Sequence, residues 1–305
     1  MPQTSLEPVA ESRGVTIFAP TSGKFSFMKS PFAAHTTLSA VDIYPGGAFG
    51  DMALSPVEGT VIDIREYLTP TPFKSRDFRE YITAVRQGGS VVKILHVKPA
   101  VKVGDTISAG DPLGTLIHNG YFYFWNDPPL HVEVRPQENY VRASNHNPLK
   151  SCFEYSSNDT SPESTILCRV VFSDERFALL EGRYEGQQVK GYRLGGCLLD
   201  GLVPVAQVDD IDYFGLIGLH PPCSVIRSEG NRHMVSTDKV KARVQTSVQG
   251  KVQTRSQAGG QVDCLALAFS LSHSVPTIKV IPKRYGQKLF SMGDEVIIRL
   301  SIYED

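Results

Sequence analysis

The sequence lacks any cysteine pair with C-x-x-C spacing and any apolar run of about 20 residues. Its five cysteines are scattered and odd in number. This argues against both a disulfide framework and a thiolate zinc site, and it fits a reducing compartment. The cysteines are Cys152, Cys168, Cys197, Cys223 and Cys264. We therefore expect a cytoplasmic protein without a membrane partner.

An excess of charge of one sign is also absent, because 31 basic residues stand against 32 acidic ones. No global field favours nucleic acid or an anionic membrane, and the Lys283-Arg284 pair is interpreted as solvated surface. The first residues, MPQTSLEPVAESRG, show no basic patch followed by an apolar core, so they predict no secretory signal. The expectation is a soluble globular protein that binds no nucleic acid.

Helical periodicity is scarce. The one candidate helix covers residues 75–87, SRDFREYITAVRQ, and is followed by a Gly-Gly stop. Elsewhere, short β-rich runs are separated by glycine and proline. These runs are TVIDI, SVVKILHV, HVEV, RVVF, CLLD, KVKARVQ and EVIIRL. The sequence predicts a mainly all-β protein.

Two domains are expected in a chain of 305 residues. A polar stretch that contains NHNP and SSNDTSPES predicts a linker around residues 150–165. We expect a β domain over residues 1–150 and a second β-rich domain over 151–305. The second half matches no motif, so substrate positioning, dimerisation and stability are all open roles for it.

A glycine-turn pattern recurs in the first half. SPVEGTVIDI covers residues 55–64, and VKVGDTISAGDPLGTLI covers residues 101–117. Each places a Gly or Gly-Asp turn between short apolar strands, which suits a compact barrel of hairpins whose turns need positive φ. MGDEVIIRL near the end of the chain echoes the pattern too faintly to count as a repeat.

The strand LHVEV alternates cleanly and places His131 and Glu133 on one face. An imidazole held beside a carboxylate suits a metal ligand with its orienting partner, a proton relay, or a polar sheet face. The strand alone leaves these alternatives open.

The phrase V-x-V-G-D-x-I-x-x-G-D-x-L-G, together with SPVEGTV, is typical of barrel-sandwich hybrids. These include lipoyl and biotinyl carriers, the glucose-specific phosphocarrier and the lysostaphin-type zinc endopeptidases. A carrier needs an attachment lysine in a Met-Lys-Met or Asp-Lys-Ala context, and the sequence has none. Over about residues 30–136 the order HTTLSAVDIYP, SPVEGTV, KILHVKPAVKVGD and PPLHVEV resembles the lysostaphin-type family.

The resemblance implies a divergent member of this family with Zn²⁺ bound by His35, Asp42 and His131. Two neutral imidazoles and one carboxylate leave the metal one net positive charge and an open position for water. His96 matches the family's histidine that hydrogen-bonds the water or the oxyanion. Glu133 is placed to orient a ligand.

Two positions depart from the family pattern. The family's H-x-H is Pro129-Leu130-His131 here, and a proline side chain transfers no proton. One positioned acid or base contributes on the order of 10²-fold or more to a rate, so its loss predicts impaired catalysis. In addition, His35 and Asp42 are seven positions apart. Seven extended residues span roughly 23 Å, so the TTLSAV segment must loop back if both residues bind one ion.

The aromatic run YFYFW at residues 121–125 lies just before the LHVEV strand. It is interpreted as core or interface packing. The alternative is that Tyr123 or Trp125 lines a groove that receives an extended peptide.

Two functional hypotheses follow from the sequence. The first is a zinc-binding, metallopeptidase-like protein, a divergent hydrolase of peptide or amide bonds with impaired catalysis. The second is a non-catalytic module on the same fold that holds a peptide or protein partner. Pro129 favours the second hypothesis, whereas the retained His96, Asp42 and His131 favour the first.

Overall fold

A computed structural model describes residues 5–28, 32–69, 78–142, 147–205, 216–220, 224–229, 232–236, 241–251 and 260–304. Antiparallel β-strands make up most of its regular structure, which confirms the predicted all-β class. No helix within these ranges is long and apolar enough to cross a membrane.

The chain divides into two compact units. The first comprises Met1–Phe27 and Ala33–Phe153, and the second comprises Met28–Phe32 and Glu154–Asp305. The first unit contains β1 (Leu6–Ser12), β2 (Val15–Pro20), β3 (Lys24–Ser26), α1 (Ala33–Thr36), β4 (Ala40–Tyr44), β5 (Met52–Leu54), β6 (Gly59–Leu68), β7 (Arg79–Gln87), β8 (Ser90–Leu95), β9 (Val97–Pro99), β10 (Thr106–Ile107), β11 (Pro112–Leu116), β12 (Leu130–Pro136), a 3₁₀ turn (Gln137–Asn139) and β13 (Lys150–Ser151).

Three antiparallel sheets build the first unit. The main sheet runs in the order β10-β6-β7-β8-β12-β4-β3, and the smaller sheets run β13-β1-β2 and β5-β11-β9. Among the described strands of this unit, none of the sheets closes on itself. The first unit is therefore built of open sheets and not of a closed barrel.

The centre of the main sheet is buried on both faces. Along β12, Val132 and Val134 point to one face and are fully buried, which stabilises the sheet through the hydrophobic effect. His131, Glu133 and Arg135 point to the other face and are also buried. Since buried polar groups destabilise the fold unless they are paired, the charged side chains on this second face must form ion pairs or hydrogen bonds.

The predicted helix at residues 75–87 is wrong. Residues 79–87 form β7, which pairs with β6 on one side and β8 on the other, while residues 75–77 lie outside the described ranges. Because β7 is a central strand with six consecutive buried residues, its sequence shows no two-residue alternation. The Gly-Gly pair forms the turn to β8, with Gly88 at φ +57°.

The glycine-turn pattern corresponds to one repeated local structure. In each of four described turns, an aspartate Oδ2 accepts the backbone N–H three residues earlier at 2.7–2.8 Å, and the preceding glycine has φ between +87° and +100°. This is the conformation of a type II turn, which needs glycine at its third position. The turns cover residues 48–51, 102–105, 108–111 and 291–294. The faint echo near the end of the chain is thus the same turn, and AFGD at residues 48–51 is a further copy.

The second unit is also built of strands. It contains β14 (Glu163–Ser173), β15 (Ala178–Gly182), β16 (Tyr192–Leu194), β17 (Cys197–Pro204), β18 (Leu216–His220), β19 (Ser224–Glu229), β20 (Arg232–Ser236), β21 (Lys241–Lys251), β22 (Gly260–Gln261), β23 (Ala266–Phe269), β24 (Leu271–Ser272), β25 (Ile278–Ile281) and β26 (Glu295–Glu304). The main order is β16-β17-β18-β19-β20-β21-β26-β14-β15-β25-β23, and β17 also pairs with β23. Residues 152–162, inside the predicted linker, carry no helix or strand.

Free thiols are found at the cysteines that the structure describes. Cys152, Cys168, Cys197 and Cys264 form no disulfide. Cys223 lies outside the described residues.

Candidate functional site

A short helix and a left-handed residue bring His35 back to Asp42. Helix α1 ends in a Schellman motif, in which Ser39 N–H donates to Ala34 O at 2.7 Å and Leu38 N–H donates to His35 O at 3.0 Å. Leu38 has φ +54°, a conformation that glycine usually supplies at this position. The reversal leads directly into β4, and this is how the TTLSAV segment loops back.

The His35 ring leaves one nitrogen facing the carboxylate. Its Nδ1 lies 2.7 Å from Phe27 O, a carbonyl that can only accept, so Nδ1 carries the proton. Its Nε2 is buried and has no hydrogen-bond partner among the described residues, although Asp42 Oδ1 is 3.4 Å away. In the neutral ring a lone pair therefore faces a carboxylate oxygen, and either a proton on Nε2 or a metal ion between the two atoms would satisfy both.

His131 approaches the same oxygen from the neighbouring strand. It lies directly opposite Asp42 in the pairing of β12 with β4, and its Nδ1 is 2.8 Å from Asp42 Oδ1. The His35 and His131 ring centroids are 5.0 Å apart. The ligand atoms of His35, Asp42 and His131 all lie within 4.8 Å of one another.

Glu133 occupies the other side of the His131 ring. Its Oε1 lies 3.2 Å from His131 Nε2 and 3.2 Å from Lys93 Nζ, and Arg135 pairs with its second oxygen. All four side chains are buried. Glu133 therefore holds the His131 ring in place and is the shared ion-pair partner of two buried cations.

Opposing effects set the charge states of this cluster. Burial alone would lower the pKa of His131, but its hydrogen bonds to Asp42 and Glu133 raise that pKa to about 9. Burial would raise the pKa of Asp42, yet the His35 and His131 imidazoles hold it far below its ordinary value. Burial would likewise raise the pKa of Glu133, and His131, Lys93 and Arg135 together hold it low. Both carboxyls are therefore ionised at neutral pH.

The donor set fits a zinc ion. Two imidazole nitrogens and one carboxylate oxygen are ligands that zinc takes, with bonds of about 2.0–2.2 Å. Tetrahedral bonds of that length place neighbouring donor atoms roughly 3.3 Å apart. The separations from Asp42 Oδ1 are 3.4 Å to His35 Nε2 and 2.8 Å to His131 Nδ1, and all three ligand atoms lie within 4.8 Å of one another, so ring movements would bring them to the distances that the ion requires.

His96 lies beside the cluster without joining it. Its ring centroid is 5.9 Å from that of His131, and the backbone has φ +70°. Its Nδ1 lies 2.5 Å from Oε2 of Glu80, a carboxylate on β7 that is completely buried. Sequence reasoning missed Glu80, because the helix predicted over residues 75–87 gave it no place in the sheet. As part of a strand, Glu80 faces Tyr67 on β6 and could have been recognised as a charge on a sheet face.

The remaining predicted site residues lie in the segment before β12. Tyr123 and Trp125 stack with ring centroids 4.3 Å apart and an interplanar angle of 7°. Trp125 is buried and Tyr123 is partly exposed, so packing accounts for the first ring and leaves part of the second accessible. Pro129 is buried and immediately precedes β12.

Comparisons with known proteins give few matches. A family model described as "Domain of unknown function (DUF8155) N-terminal domain" matches residues 16–151, a stretch that contains His35, Asp42, Glu80, His96 and His131. No curated protein matches the chain. Among solved structures, the NMR solution structure of lysostaphin is similar at 11% sequence identity, over 84% of this chain and 86% of that one, with a TM-score of 0.25. A superposition this loose supports no inference about the site.

Proposed function

We propose that the first unit binds Zn²⁺ through His35, Asp42 and His131. The observation that carries this proposal is the buried Nε2 of His35, which has no hydrogen-bond partner among the described residues and lies 3.4 Å from an ionised carboxylate oxygen. A bound zinc ion would supply Lewis acidity and a water whose pKa is lowered toward neutrality.

The reaction that we propose is slow hydrolysis of a peptide or amide bond. His96 is the acid or base beside the cluster, and Glu133 holds the His131 ring in place. The Pro129 side chain transfers no proton, so hydrolysis is slower than at a site that has an H-x-H pair on this strand. The peptide lies along the partly exposed face of Tyr123, and the protein acts in the cytoplasm.

A non-catalytic binding module is the second candidate, and one specific observation favours it. Pro129 stands where the resembling family has its other histidine, so the chain has lost one acid-base group while keeping the three metal ligands. As a binding module, the first unit binds zinc and a peptide but does not hydrolyse the peptide.

Metal analysis and a hydrolysis assay test the two candidates together. Protein purified without added zinc should contain about one equivalent per chain, and His35→Ala should contain none. His118→Ala is the matched control, since His118 contacts Phe49 and Phe122 and does not belong to the cluster. Metal-free parent protein that also fails to take up added zinc would refute both candidates. Zinc binding without hydrolysis of a peptide panel would leave the binding module.

A further inference from the structure

The Glu80 carboxylate is completely buried and accepts four hydrogen bonds. Its Oε1 accepts the backbone N–H groups of Tyr81 at 2.8 Å and His96 at 2.9 Å. Its Oε2 lies 2.5 Å from His96 Nδ1 and accepts Asn119 Nδ2 at 2.9 Å. Oε1 therefore accepts hydrogen bonds from the backbone, and Oε2 accepts them from two side chains.

The backbone contacts hold His96 in an unusual conformation. Its φ of +70° is uncommon for a residue other than glycine and strains the backbone. Glu80 accepts its N–H, and its carbonyl accepts Ile117 N–H at 3.1 Å. Strain of this kind persists where the surroundings fix the residue, and here they fix it next to the ligand cluster.

The side-chain contacts fix the tautomer of His96. Asn119 must present its amide nitrogen to Glu80, because that nitrogen also donates to Arg79 O at 3.1 Å while its Oδ1 accepts Tyr121 N–H at 3.1 Å. Oε2 of Glu80 is thus an acceptor on both sides, so His96 Nδ1 is protonated. Burial would raise the pKa of Glu80, but His96 and Asn119 hold it below its ordinary value, which is consistent with an ionised acceptor.

We propose that Glu80 is a positioning residue, which orients the His96 ring and holds its proton on Nδ1, leaving Nε2 as a proton acceptor beside the metal ligands. The catalytic part of this inference rests on the proposed hydrolase function, whereas the tautomer does not. In the reaction, Nε2 takes a proton from the attacking water and returns it to the leaving amine. A histidine held by a carboxylate in this way serves as both base and acid.

The test is imidazole ¹⁵N NMR at alkaline pH on the full-length protein, with and without zinc. In the parent protein, His96 should be protonated at Nδ1 only. In Glu80→Gln the amide oxygen can still accept both backbone N–H groups, but its NH₂ group faces His96 Nδ1 and also the Asn119 amide nitrogen, so the Asn119 contact should be lost and the ring proton should move to Nε2. Glu80→Asp keeps a carboxylate and should retain the parent tautomer in part. Glu66→Gln, an exposed carboxylate on β6, is the matched control and should change nothing.

The spectrum of the parent protein decides the inference even if a variant fails to fold. Protonation at Nε2 in the parent, or an unchanged tautomer in folded Glu80→Gln, would overturn it. If the protein hydrolyses peptides, Glu80→Gln should also lower kcat on the order of 10²-fold or more at unchanged KM, with partial rescue in Glu80→Asp. If the parent protein hydrolyses no peptide, the hydrolase proposal is refuted, but the NMR result on the His96 tautomer is unaffected.

Discussion

Asp42 and His131 are direct cross-strand neighbours, and Oδ1 of Asp42 lies 2.8 Å from Nδ1 of His131. The same oxygen lies 3.4 Å from Nε2 of His35, which arrives from a different element. Two imidazole nitrogens therefore lie close to the same carboxylate oxygen. Two of the three residues are fixed by a rigid sheet, whereas the third depends on the turn after α1.

His131→Ala should abolish zinc binding while the fold is retained. The main sheet has a filled apolar face, so it does not need the ion in order to form. In the parent protein, zinc at about 100 times its Kd should raise the unfolding free energy by roughly 2.7 kcal/mol. Thermal melts with and without zinc measure this difference. An equal zinc-dependent shift in His131→Ala and in the parent would contradict the assignment of His131 as a ligand.

Glu133→Gln should weaken zinc binding by about 10-fold to 100-fold, because the His131 ring loses its charged acceptor. It should also destabilise the fold by about 3–5 kcal/mol, since Lys93 and Arg135 lose their shared counter-charge. Titration calorimetry gives the affinity, and denaturant unfolding gives the stability.

The double variant Lys93→Met with Glu133→Gln separates these two roles of Glu133. It removes one of the unpaired cations and should recover part of the stability without recovering the affinity. Recovery of both quantities together would show that Glu133 acts on zinc only through the fold.

Leu38 does not belong to the proposed ligands, but substitutions at this position should change zinc affinity. Leu38→Gly relieves the left-handed φ of +54° but loses a half-buried side chain, so the unfolding free energy should change by less than about 1 kcal/mol. Leu38→Val adds a β-branched side chain in that conformation and should destabilise the protein by about 1–2 kcal/mol. Because the turn carries His35, zinc affinity should fall in Leu38→Val and persist in Leu38→Gly. Leu68→Val, on an exposed site of β6, is the control.

Much of the fold could be predicted from the sequence because the information was local. Period-two alternation identified LHVEV as a strand, and Gly-Asp pairs identified turns that need positive φ. The helix predicted over residues 75–87 is wrong because residues 79–87 form a strand that is buried on both faces, and the sequence of such a strand has no two-residue alternation. The true pattern depends on which strands flank it, which is not local information.

The candidate site could be predicted only in part for a similar reason. The types and order of the histidine and aspartate residues pointed to a ligand set, but the approach of His35 depends on a leucine with positive φ, a conformation that sequence rarely indicates. The partners of Glu133 follow from the strand register, which pairs it with Lys93. Glu80 was missed together with its strand.

All five cysteines should titrate as free thiols under denaturing, non-reducing conditions. The four described cysteines form no disulfide. In the native protein, Cys168 and Cys264 should react slowly, because burial raises their pKa values to about 12 and leaves little thiolate. The half-buried Cys152 should react faster than these two. Fewer than five thiols after denaturation would contradict the expected reducing compartment.

Pro129→His should separate an impaired enzyme from a binding module. If zinc and His96 still act on a peptide bond, a second histidine next to β12 should raise hydrolysis on the order of 10²-fold, the usual contribution of one positioned acid or base. Removing proline frees φ and restores a backbone N–H at a buried position, so the variant must first be shown to bind zinc with the parent's affinity. Pro128→His, at the neighbouring buried proline, controls for a histidine added to this segment without the family's spacing. A Pro129→His protein that binds zinc normally and hydrolyses no peptide would count against the hydrolase, because both histidines of the pair would then be present beside the metal without producing chemistry.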